Sequence, residues 1–575
     1  MMKILRVCLA QINPTVGDIA GNSKKIIAFI EEAKAQQADI VVFPELSLSG
    51  YPPEDLLLKP HFIKENEIAI QKIAKTSKSI FSVVGYPCLD KGELFNAAAL
   101  IYNGRLVDIY RKVFLPNYGV FDEQRYFSHG KVCNIVAFGR KLRIGVNICE
   151  DIWHAEGPQR TQALLGGAKI LINISASPYH TKKIEEREEA LRRRAKENNA
   201  CIFYCNLVGG QDELIFDGGS LVFDDRGNLL ARGKQFKEDL ISLDLNLDDL
   251  RTPIPLKRKV NFYLPAASLK VKFLAELKEK KWASTENRIE KKLEFLDEIY
   301  SALALGIKDY VLKNNFSKVV LGLSGGIDSA LTAVLAVDAL GSDNVVALSM
   351  PSKFSTSETR KDARAIAKKL DIKLINVPIG NIYKAYLSSL KGHFKAYKLN
   401  TTEENIQARI RGNLLMAFSN KFGWLVLTTG NKSEISTGYC TLYGDMAGGF
   451  SVLKDVPKGL VYDLSRFRNK RGKKELIPKS VIDRAPTAEL KRNQKDQDTL
   501  PPYPILDRII DLYIEKDISL ENIVKRGIDR RIAAKVISMI DRNEYKRRQA
   551  SPGVKITPKA FGKDRRMPIT NHFCG

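Results

Sequence analysis

The chain has 575 residues, of which 44% are hydrophobic and 27% charged, and its formal net charge is +25. This length predicts two or more domains, because single hydrophobic cores stop growing at about 250–300 residues. No apolar run reaches the roughly 18 residues of a membrane helix, and the N-terminus leads straight into a strand pattern without a signal peptide. We therefore expect neither a membrane protein nor a secreted one.

The cysteines, histidines and charged residues indicate which further classes of protein are not expected. The eight cysteines form no CxxC pair, which argues against zinc ribbons and disulfide frameworks and favours a reducing cytoplasm. The six histidines are spread singly, so a His-based metal site is not expected. Basic and acidic residues are interleaved over most of the chain. The net charge is therefore better explained by a lysine-rich surface that attracts nucleotides than by nucleic-acid binding. The densest basic cluster, 466–474, is predicted to be an exposed loop.

The first 250 residues alternate apolar strands with polar breaks and helices, which predicts a layered α/β fold with paired strands. The predicted strands are 4–12, 40–43, 80–86, 97–102, 143–148, 170–174, 201–206, 220–223 and 240–245. Helices are predicted at 22–36 and 184–198. We place this first domain at residues 1–256, and we predict that the lysine-rich segment 257–284 is a linker or bridging helix.

The second domain, residues 285–575, begins with a helical pattern of apolar residues between 289 and 303. Strands and helices then alternate, with strands predicted at 319–323, 345–350, 374–377 and 424–427 and helices at 330–340, 357–370 and 404–420. This alternation predicts a Rossmann-like, doubly wound parallel sheet. Such sheets bind ligands at the carboxyl ends of their strands.

The strand at 319–323 leads directly into a glycine-rich turn and a helix. The turn consists of Gly322, Leu323, Ser324, Gly325, Gly326, Ile327, Asp328 and Ser329. Backbone N–H groups and a helix N-terminus would meet at this point, which predicts a phosphate cradle. The turn lacks the lysine of a Walker A loop. It resembles the SGGxDS loop of the N-type ATP pyrophosphatase family, whose members split ATP between its α- and β-phosphates to adenylate a substrate.

Three segments of the first domain each place a reactive side chain after a strand, namely Glu45, Lys112 and Cys149. Together they resemble the Glu-Lys-Cys triad of the nitrilase superfamily, which implies an αββα sandwich. The resemblance also implies a chemistry: Glu45 takes the thiol proton of Cys149, and the thiolate attacks an amide carbon. Lys112 stabilises the resulting oxyanion, and Glu45 later activates water to hydrolyse the thioester.

Longer segments in both domains resemble the glutamine-dependent NAD⁺ synthetase family. They are 43–55, 115–123, 208–214, 404–412, 428–434, 439–446, 544–549 and 561–566. The resemblance implies ATP-dependent amidation of deamido-NAD with ammonia from glutamine. It further implies small-molecule substrates, a homo-oligomer, and no nucleic-acid or membrane partner. Segments 385–399 and 465–480 follow no pattern of the family and are predicted to be loops over the active site.

The same resemblance implies roles for individual residues. They are Tyr118, Ser177 and Lys183 for glutamine; the turn 322–329, Thr429 and Lys458 for ATP; Asn405, Glu434 and Lys546 for deamido-NAD; and Asp328 and Glu434 for Mg²⁺. Magnesium is the expected cofactor, with ATP as co-substrate. Mg²⁺ is usually bound by one or two carboxylates together with phosphate oxygens, which suits the last pair.

Three alternatives compete with this interpretation. Another glutamine amidotransferase could share the phosphate loop, but the motifs at 404–446 do not fit one. An RNA-modifying enzyme would suit the charge of +25, but such thiolating enzymes usually carry CxxC pairs. A non-enzymatic scaffold with an inactive nitrilase domain would not require the intact set of Glu45, Lys112 and Cys149.

Overall fold

The structure, a computed structural model, describes residues 4–139, 142–251, 261–275, 287–472, 474–492 and 494–572. The chain forms two compact units. The first comprises residues 1–211 and 216–293, and the second comprises 212–215 and 294–575. No helix among the described residues is both long and apolar enough to cross a membrane.

The first unit is built on two large β-sheets. Its strands are β1 (Ile4–Gln11), β2 (Ile40–Val42), β3 (Phe81–Asp90), β4 (Glu93–Tyr102), β5 (Arg105–Arg111), β6 (Cys133–Phe138), β7 (Leu142–Ile148), β8 (Ile170–Ser175), β9 (Cys201–Asn206), β10 (Val208–Gln211), β11 (Leu214–Asp217), β12 (Leu221–Phe223), β13 (Leu229–Arg232), β14 (Asp239–Asn246) and β15 (Leu269–Leu274). One sheet has the order β14-β1-β2-β3-β4-β5 and the other β13-β12-β9-β8-β7-β6-β15. Strands β10 and β11 pair separately.

Alternate residues of the strands explain why the two sheets pack face to face. Leu5, Val7 and Leu9 of β1 share one buried core with Ile144 and Val146 of β7, in keeping with the two-residue period of a strand. The opposite face of the seven-stranded sheet packs against the helix Lys183–Asn198. The helix Pro60–Thr76 packs against β3, β4 and β5 of the six-stranded sheet. Helices thus cover both sheets in the αββα arrangement that the sequence predicts.

The helices of the first unit are α1 (Ile19–Ala35), α2 (Pro60–Thr76), α3 (Pro158–Arg160) and α4 (Lys183–Asn198). Short 3₁₀ turns cover Glu54–Leu58, Glu123–Arg125, Cys149–Ile152, Leu247–Asp249 and Ala266–Ser268, and a π-helical turn covers Thr161–Leu165.

The second unit contains a five-stranded parallel sheet. Its strands are β16 (Val319–Gly322), β17 (Val345–Ser349), β18 (Lys373–Asn376), β19 (Leu425–Thr428) and β20 (Phe450–Ser451), in the order β18-β17-β16-β19-β20. All neighbouring pairs run parallel. The strand order reverses between β16 and β19, and doubly wound sheets bind their ligands at such a switch point.

The helices of the second unit surround this sheet and continue beyond it. They are α5 (Phe295–Lys313), α6 (Ile327–Leu340), α7 (Ser357–Leu370), α8 (Gly380–Phe394), α9 (Thr401–Phe422), α10 (Lys432–Thr437), α11 (Lys458–Arg471), α12 (Lys479–Asp483), α13 (Tyr503–Ile510), α14 (Leu520–Val524), α15 (Arg530–Arg542) and α16 (Glu544–Arg547). Short 3₁₀ turns cover Ser342–Asn344 and Asp496–Asp498, and a π-helical turn covers Asp511–Glu515.

Some local predictions differ from the structure. Segments 385–399 and 465–480 are not simply loops, because α8 extends through the first as far as Phe394 and α11 through the second as far as Arg471. Most of the basic cluster 466–474 therefore lies on a helix. Within the predicted linker 257–284, the described part 261–275 contains β15, which pairs in parallel with β6. The other residues of that predicted linker lie outside the described residues, and the domain boundaries stay a prediction.

Candidate active sites

The first candidate site lies at strand ends of the sandwich. Lys112 directly follows β5, Cys149 directly follows β7, and Glu45 lies three residues after β2. Cys149 has a φ of 41°, an uncommon value for a residue other than glycine, where β7 turns into a 3₁₀ helix. Unusual backbone conformations of this kind cluster at functional sites.

A buried ion cluster connects Glu45 with Lys112. The Lys112 ammonium donates to Glu45 Oε1 at 2.6 Å and to the two carboxylate oxygens of Glu123 at 2.8 and 2.9 Å. The side chains of Lys112 and Glu45 are 0% exposed. Two further donors hold the Glu45 carboxylate, namely Asn96 Nδ2 at 2.7 Å and the Ala176 N–H at 2.9 Å. The carboxylate is therefore fixed from three sides.

The electrostatics of the cluster keep Lys112 charged. Burial alone would lower the pKa of Lys112, but the carboxylates of Glu123 and Glu45 outweigh it and raise that pKa well above its ordinary value. Burial raises the pKa of Glu123 to about 7, although Lys112 opposes the shift. Burial also raises the pKa of the Cys149 thiol, and Glu45 adds to this effect, while Lys112 opposes it. The thiol therefore needs a base in order to react.

The three predicted glutamine-binding residues lie in three different environments. The Tyr118 side chain is 59% exposed, and its hydroxyl donates to the carboxylate of Glu150, the neighbour of Cys149, at 3.0 Å. Ser177 is buried just past β8, two residues beyond the end of that strand. Lys183 begins α4, where its ammonium lies 4.5 Å from the ring centre of Trp153.

Two members of this cluster were not predicted from the sequence. Glu123 lies inside the motif 115–123, but that motif supported only the family resemblance. Asn96 lies just before the strand predicted at 97–102, and the structure includes it in β4. Its contact with Glu45 joins residues that are 51 positions apart, so no local pattern indicates it.

The second candidate site is a cavity of about 300 Å³ in the second unit. It opens where β16, β17 and β19 end, and its lining includes the predicted residues Gly322, Leu323, Ser324, Gly326, Ile327, Asp328, Ser329, Thr429, Glu434 and Lys458. The phosphate loop thus faces a space at the switch point of the sheet, as the sequence pattern predicts.

Gly325 shows why the loop requires glycine. Its φ is +86°, and a Cβ atom at this position would lie 2.1 Å from the carbonyl oxygen of Thr359. The hydroxyl of Ser329 braces the loop by donating to the Gly326 carbonyl at 3.0 Å and accepting from the Ser324 N–H at 3.3 Å. Helix α6 begins at Ile327, so its unpaired N–H groups lie beside the loop.

Lys458 lies between the two predicted magnesium ligands. Its ammonium donates to Asp328 Oδ2 at 2.5 Å and to Glu434 Oε1 at 3.3 Å. Burial raises the pKa of Glu434 to about 8, and Lys458 opposes that shift. Asn431 Nδ2 donates to the other oxygen of Asp328 at 2.8 Å, and Asn431 Oδ1 accepts from the Glu434 N–H at 3.0 Å. The two carboxylates thus converge on a position that already attracts a cation.

A magnesium site at this point fits the donor set. Among the described residues, no group of three or more His, Cys, Asp and Glu side chains is arranged to hold a metal ion. Mg²⁺ does not need such a group when it binds with a nucleotide, because phosphate oxygens and water complete its six ligands around one or two carboxylates.

Two predicted deamido-NAD ligands hold a loop that borders the cavity. The Asn405 side chain accepts from the Thr441 hydroxyl at 2.8 Å, and Thr441 lines the cavity. The Lys546 ammonium donates to the carbonyl oxygens of Gly438 and Cys440 at 2.7 and 2.9 Å. In this structure both residues fix the segment after α10, and their contact with a substrate stays a prediction.

Arg411 also lines the cavity, although the motif 404–412 does not by itself assign it a role. Burial lowers its pKa to about 10, and its Nε donates to the Met350 carbonyl at 3.0 Å. A guanidinium at this position adds positive charge to a cavity that faces a phosphate loop.

Comparisons with known proteins agree with this division into two sites. The carbon-nitrogen hydrolase family model matches residues 6–253, and the NAD synthase family model matches residues 299–550. The chain therefore combines an amide-hydrolysing type of domain with a nucleotide-dependent synthase domain, which is the architecture of a glutamine-using ligase.

Full-length relatives define the family. The glutamine-dependent NAD(+) synthetase of Thermotoga maritima is 48% identical over 100% of this chain and 99% of its own length. That of Aquifex aeolicus is 48% identical over 99% of this chain and 100% of its own length. The solved glutamine-dependent NAD+ synthetase of Acinetobacter baumannii is 39% identical, with a TM-score of 0.75 and coverage of 99% of both chains. The chain belongs to the glutamine-dependent NAD(+) synthetase family.

Proposed function

We propose that the chain amidates deamido-NAD to NAD⁺ with ATP, using ammonia that it releases from glutamine, and that the other products are AMP, pyrophosphate and glutamate. The observation that carries this proposal is the presence of two distinct sites in one chain. One is the buried Glu45–Lys112 pair next to Cys149 in the first unit, and the other is the phosphate-loop cavity in the second.

In the first site, Glu45 accepts the thiol proton of Cys149, and the thiolate attacks the carboxamide carbon of glutamine. The Lys112 ammonium stabilises the oxyanion that forms, because Glu123 and Glu45 keep it charged in a buried position. The C–N bond then breaks, and ammonia leaves with a proton returned from Glu45. Glu45 next deprotonates a water molecule that attacks the thioester. The C–S bond breaks, glutamate leaves, and Glu45 returns the proton to the Cys149 thiolate. Tyr118, Ser177 and Lys183 are proposed to hold the glutamine.

In the second site, residues 322–329 cradle the phosphates of ATP, with Thr429 and Lys458 as further ligands. The carboxylate of deamido-NAD attacks the α-phosphorus, and the bond to pyrophosphate breaks. Ammonia then attacks the acyl-adenylate and displaces AMP. Asn405, Glu434 and Lys546 are proposed to act on the deamido-NAD side. The position of the loop at the strand ends of a doubly wound sheet supports this assignment.

Asp328 and Glu434 would hold Mg²⁺ together with the nucleotide, and the bound ion would neutralise charge on the phosphates. Both carboxylates line the same cavity as the phosphate loop, which supports this choice. We further propose a homo-oligomer that acts only on small molecules, on the basis of the family resemblance. We propose a cytoplasmic location because the eight cysteines form no CxxC pair and suit a reducing compartment. The matches at 6–253 and 299–550 support domains at 1–256 and 285–575.

One assay tests the proposed reaction. The protein is incubated with ATP, Mg²⁺, deamido-NAD and either glutamine or ammonium, and NAD⁺, AMP and ADP are quantified. We expect NAD⁺ and AMP in equal amounts from either nitrogen source. Formation of ADP in place of AMP would overturn the adenylation step, because cleavage would then lie between the β- and γ-phosphates.

A further inference from the structure

The buried carboxylate of Asp151, two residues after Cys149, receives four hydrogen bonds. Its Oδ2 accepts from the Tyr110 hydroxyl at 2.7 Å and from the Ile148 N–H at 3.0 Å. Its Oδ1 accepts from the N–H groups of Val113 and Phe114 at 3.1 and 2.9 Å. Asp151 is 0% exposed, so water cannot replace these donors when one of them is lost.

The residues that supply the four donors lie close in sequence to Lys112 and Cys149, two of the three residues that the proposed glutaminase reaction requires. Ile148 immediately precedes Cys149, while Tyr110 and Val113 lie on either side of Lys112. Tyr110 belongs to β5 and Ile148 to β7, and these strands belong to different sheets of the sandwich. A single carboxylate therefore joins the end of one sheet to the end of the other, where the lysine and the cysteine emerge.

We propose that Asp151 is a positioning residue that sets the placement of the Lys112 ammonium relative to the Cys149 thiol. The inference rests on the proposed function of the first site. An oxyanion stabiliser works only at hydrogen-bond distance from the oxygen that becomes charged. The ion cluster with Glu45 and Glu123 fixes the tip of Lys112. Asp151 fixes the backbone that follows Lys112 through two N–H groups, and it holds the side chain of Tyr110 before it.

The chemistry of the carboxylate suits this role. Burial raises the pKa of Asp151 to about 6, and the Tyr110 hydroxyl and the N–H groups of Phe114 and Ile148 oppose the shift. At pH 8 the ionised group therefore offers both oxygens as acceptors to all four donors. An asparagine in the same place would offer one oxygen, and its NH₂ group would face two donors. One half of the contacts would be lost without a change in side-chain size.

The test compares Asp151→Asn with the wild type in the full-length protein at pH 8. We expect kcat for glutamine-dependent NAD⁺ formation to fall roughly 10²-fold, the loss that a misplacement of about 1 Å can cause, while KM for glutamine changes less than about threefold. Ammonium-dependent synthesis in the same sample should stay unchanged. The control Asp225→Asn removes a buried carboxylate that accepts from the Arg251 N–H at 3.0 Å, and it should leave both activities unchanged.

A second readout separates positioning from stability, and it does not require the proposed reaction. The rate at which iodoacetamide alkylates Cys149 is measured against pH, since it depends on the charged groups around the thiol. We expect Asp151→Asn to shift this profile, because the Lys112 ammonium moves relative to the sulfur. A variant with a lower melting temperature but a wild-type kcat and a wild-type alkylation profile would overturn the proposal.

Tyr110→Phe decides the question if Asp151→Asn does not fold. It deletes one of the four donors and keeps the ring in the core. The loss of one hydrogen bond to a charged group predicts a roughly tenfold decrease in glutamine-dependent kcat. The alkylation profile should shift in the same direction as for Asp151→Asn. A folded Tyr110→Phe protein with wild-type values for both would count against the positioning role.

Discussion

Replacement of Lys112 by methionine removes the cation of the buried cluster but preserves the approximate length of the side chain. In the wild type the ammonium contacts one oxygen of Glu45 and both oxygens of Glu123, at 2.6, 2.8 and 2.9 Å. The variant leaves two carboxylates in the interior of the first unit without their shared counter-charge. Loss of one partner of a buried ion pair costs about 3–5 kcal/mol.

The cost should depend on pH, and the sign follows from Glu123. Its pKa in the folded protein is about 7, above the ordinary value of 4.5, because burial outweighs the influence of Lys112. Loss of Lys112 raises this pKa further. A folded state that binds a proton more tightly than the unfolded state loses stability as the pH rises. Lys112→Met should therefore be destabilised by about 3–5 kcal/mol at pH 8. The deficit should shrink by roughly 1.4 kcal/mol per pH unit as the pH falls from 8 to about 7. It should then stay constant down to pH 5.5, because Glu123 of the wild type is also protonated below its pKa of about 7.

Hydrogen–deuterium exchange with mass spectrometry measures this effect in the first unit alone. Peptides from β1 and β8 report the free energy of opening of its core. The control is Lys25→Met, which removes an exposed ion pair with Glu238 and should cost at most about 1 kcal/mol. An equal loss of stability at pH 8 and at pH 5.5, or a loss below about 1 kcal/mol at pH 8, would refute the electrostatic reasoning.

Two further variants test the second site, with glutamine hydrolysis as the internal control in each. Gly325→Ala should reduce NAD⁺ synthesis from both nitrogen sources. The new Cβ would lie 2.1 Å from the Thr359 carbonyl oxygen, and the positive φ is strained for alanine. A wild-type rate would show that the loop tolerates displacement. Asn431→Ala removes the contacts to Asp328 and to the Glu434 N–H, and the loss of about 1–2 kcal/mol predicts a roughly tenfold higher KM for Mg-ATP. An unchanged KM would show that these contacts do not contribute to nucleotide binding.

The order of strands and helices could be predicted well where the pattern was strong and local. Helix α7 has the predicted bounds, because Thr356 caps it by accepting from the Thr359 N–H and its buried residues recur at helical spacing. Strand β5 was missed because charged residues such as Asp108 and Arg111 interrupt its pattern at the edge of a sheet. Strand β15 was missed because exposed lysines at 270 and 272 alternate with its less exposed residues, and a lysine-rich segment indicates a linker when read alone.

The site residues also divide into those that a local sequence motif indicates and those that it does not. Short motifs indicate Glu45, Lys112 and Cys149, and the fold places each of them within three residues of a strand end. Asn96 and Asp151 could not be assigned in this way, because their importance arises mainly from partners 37 to 51 positions distant. A buried polar side chain acquires its role from the donors that folding brings to it, and one sequence does not show which donors those are.

The most direct test of the division of labour between the two units is NAD⁺ synthesis by Cys149→Ala with glutamine and, separately, with ammonium. In the proposed reaction the thiol is needed only to release ammonia, and the phosphate-loop cavity belongs to the other compact unit. Cys8→Ala, at a buried cysteine of β1, serves as the matched control and should retain both activities. The account predicts that Cys149→Ala loses glutamine-dependent synthesis and retains ammonium-dependent synthesis. A folded variant that loses both activities, or that still uses glutamine at the wild-type rate, would contradict it.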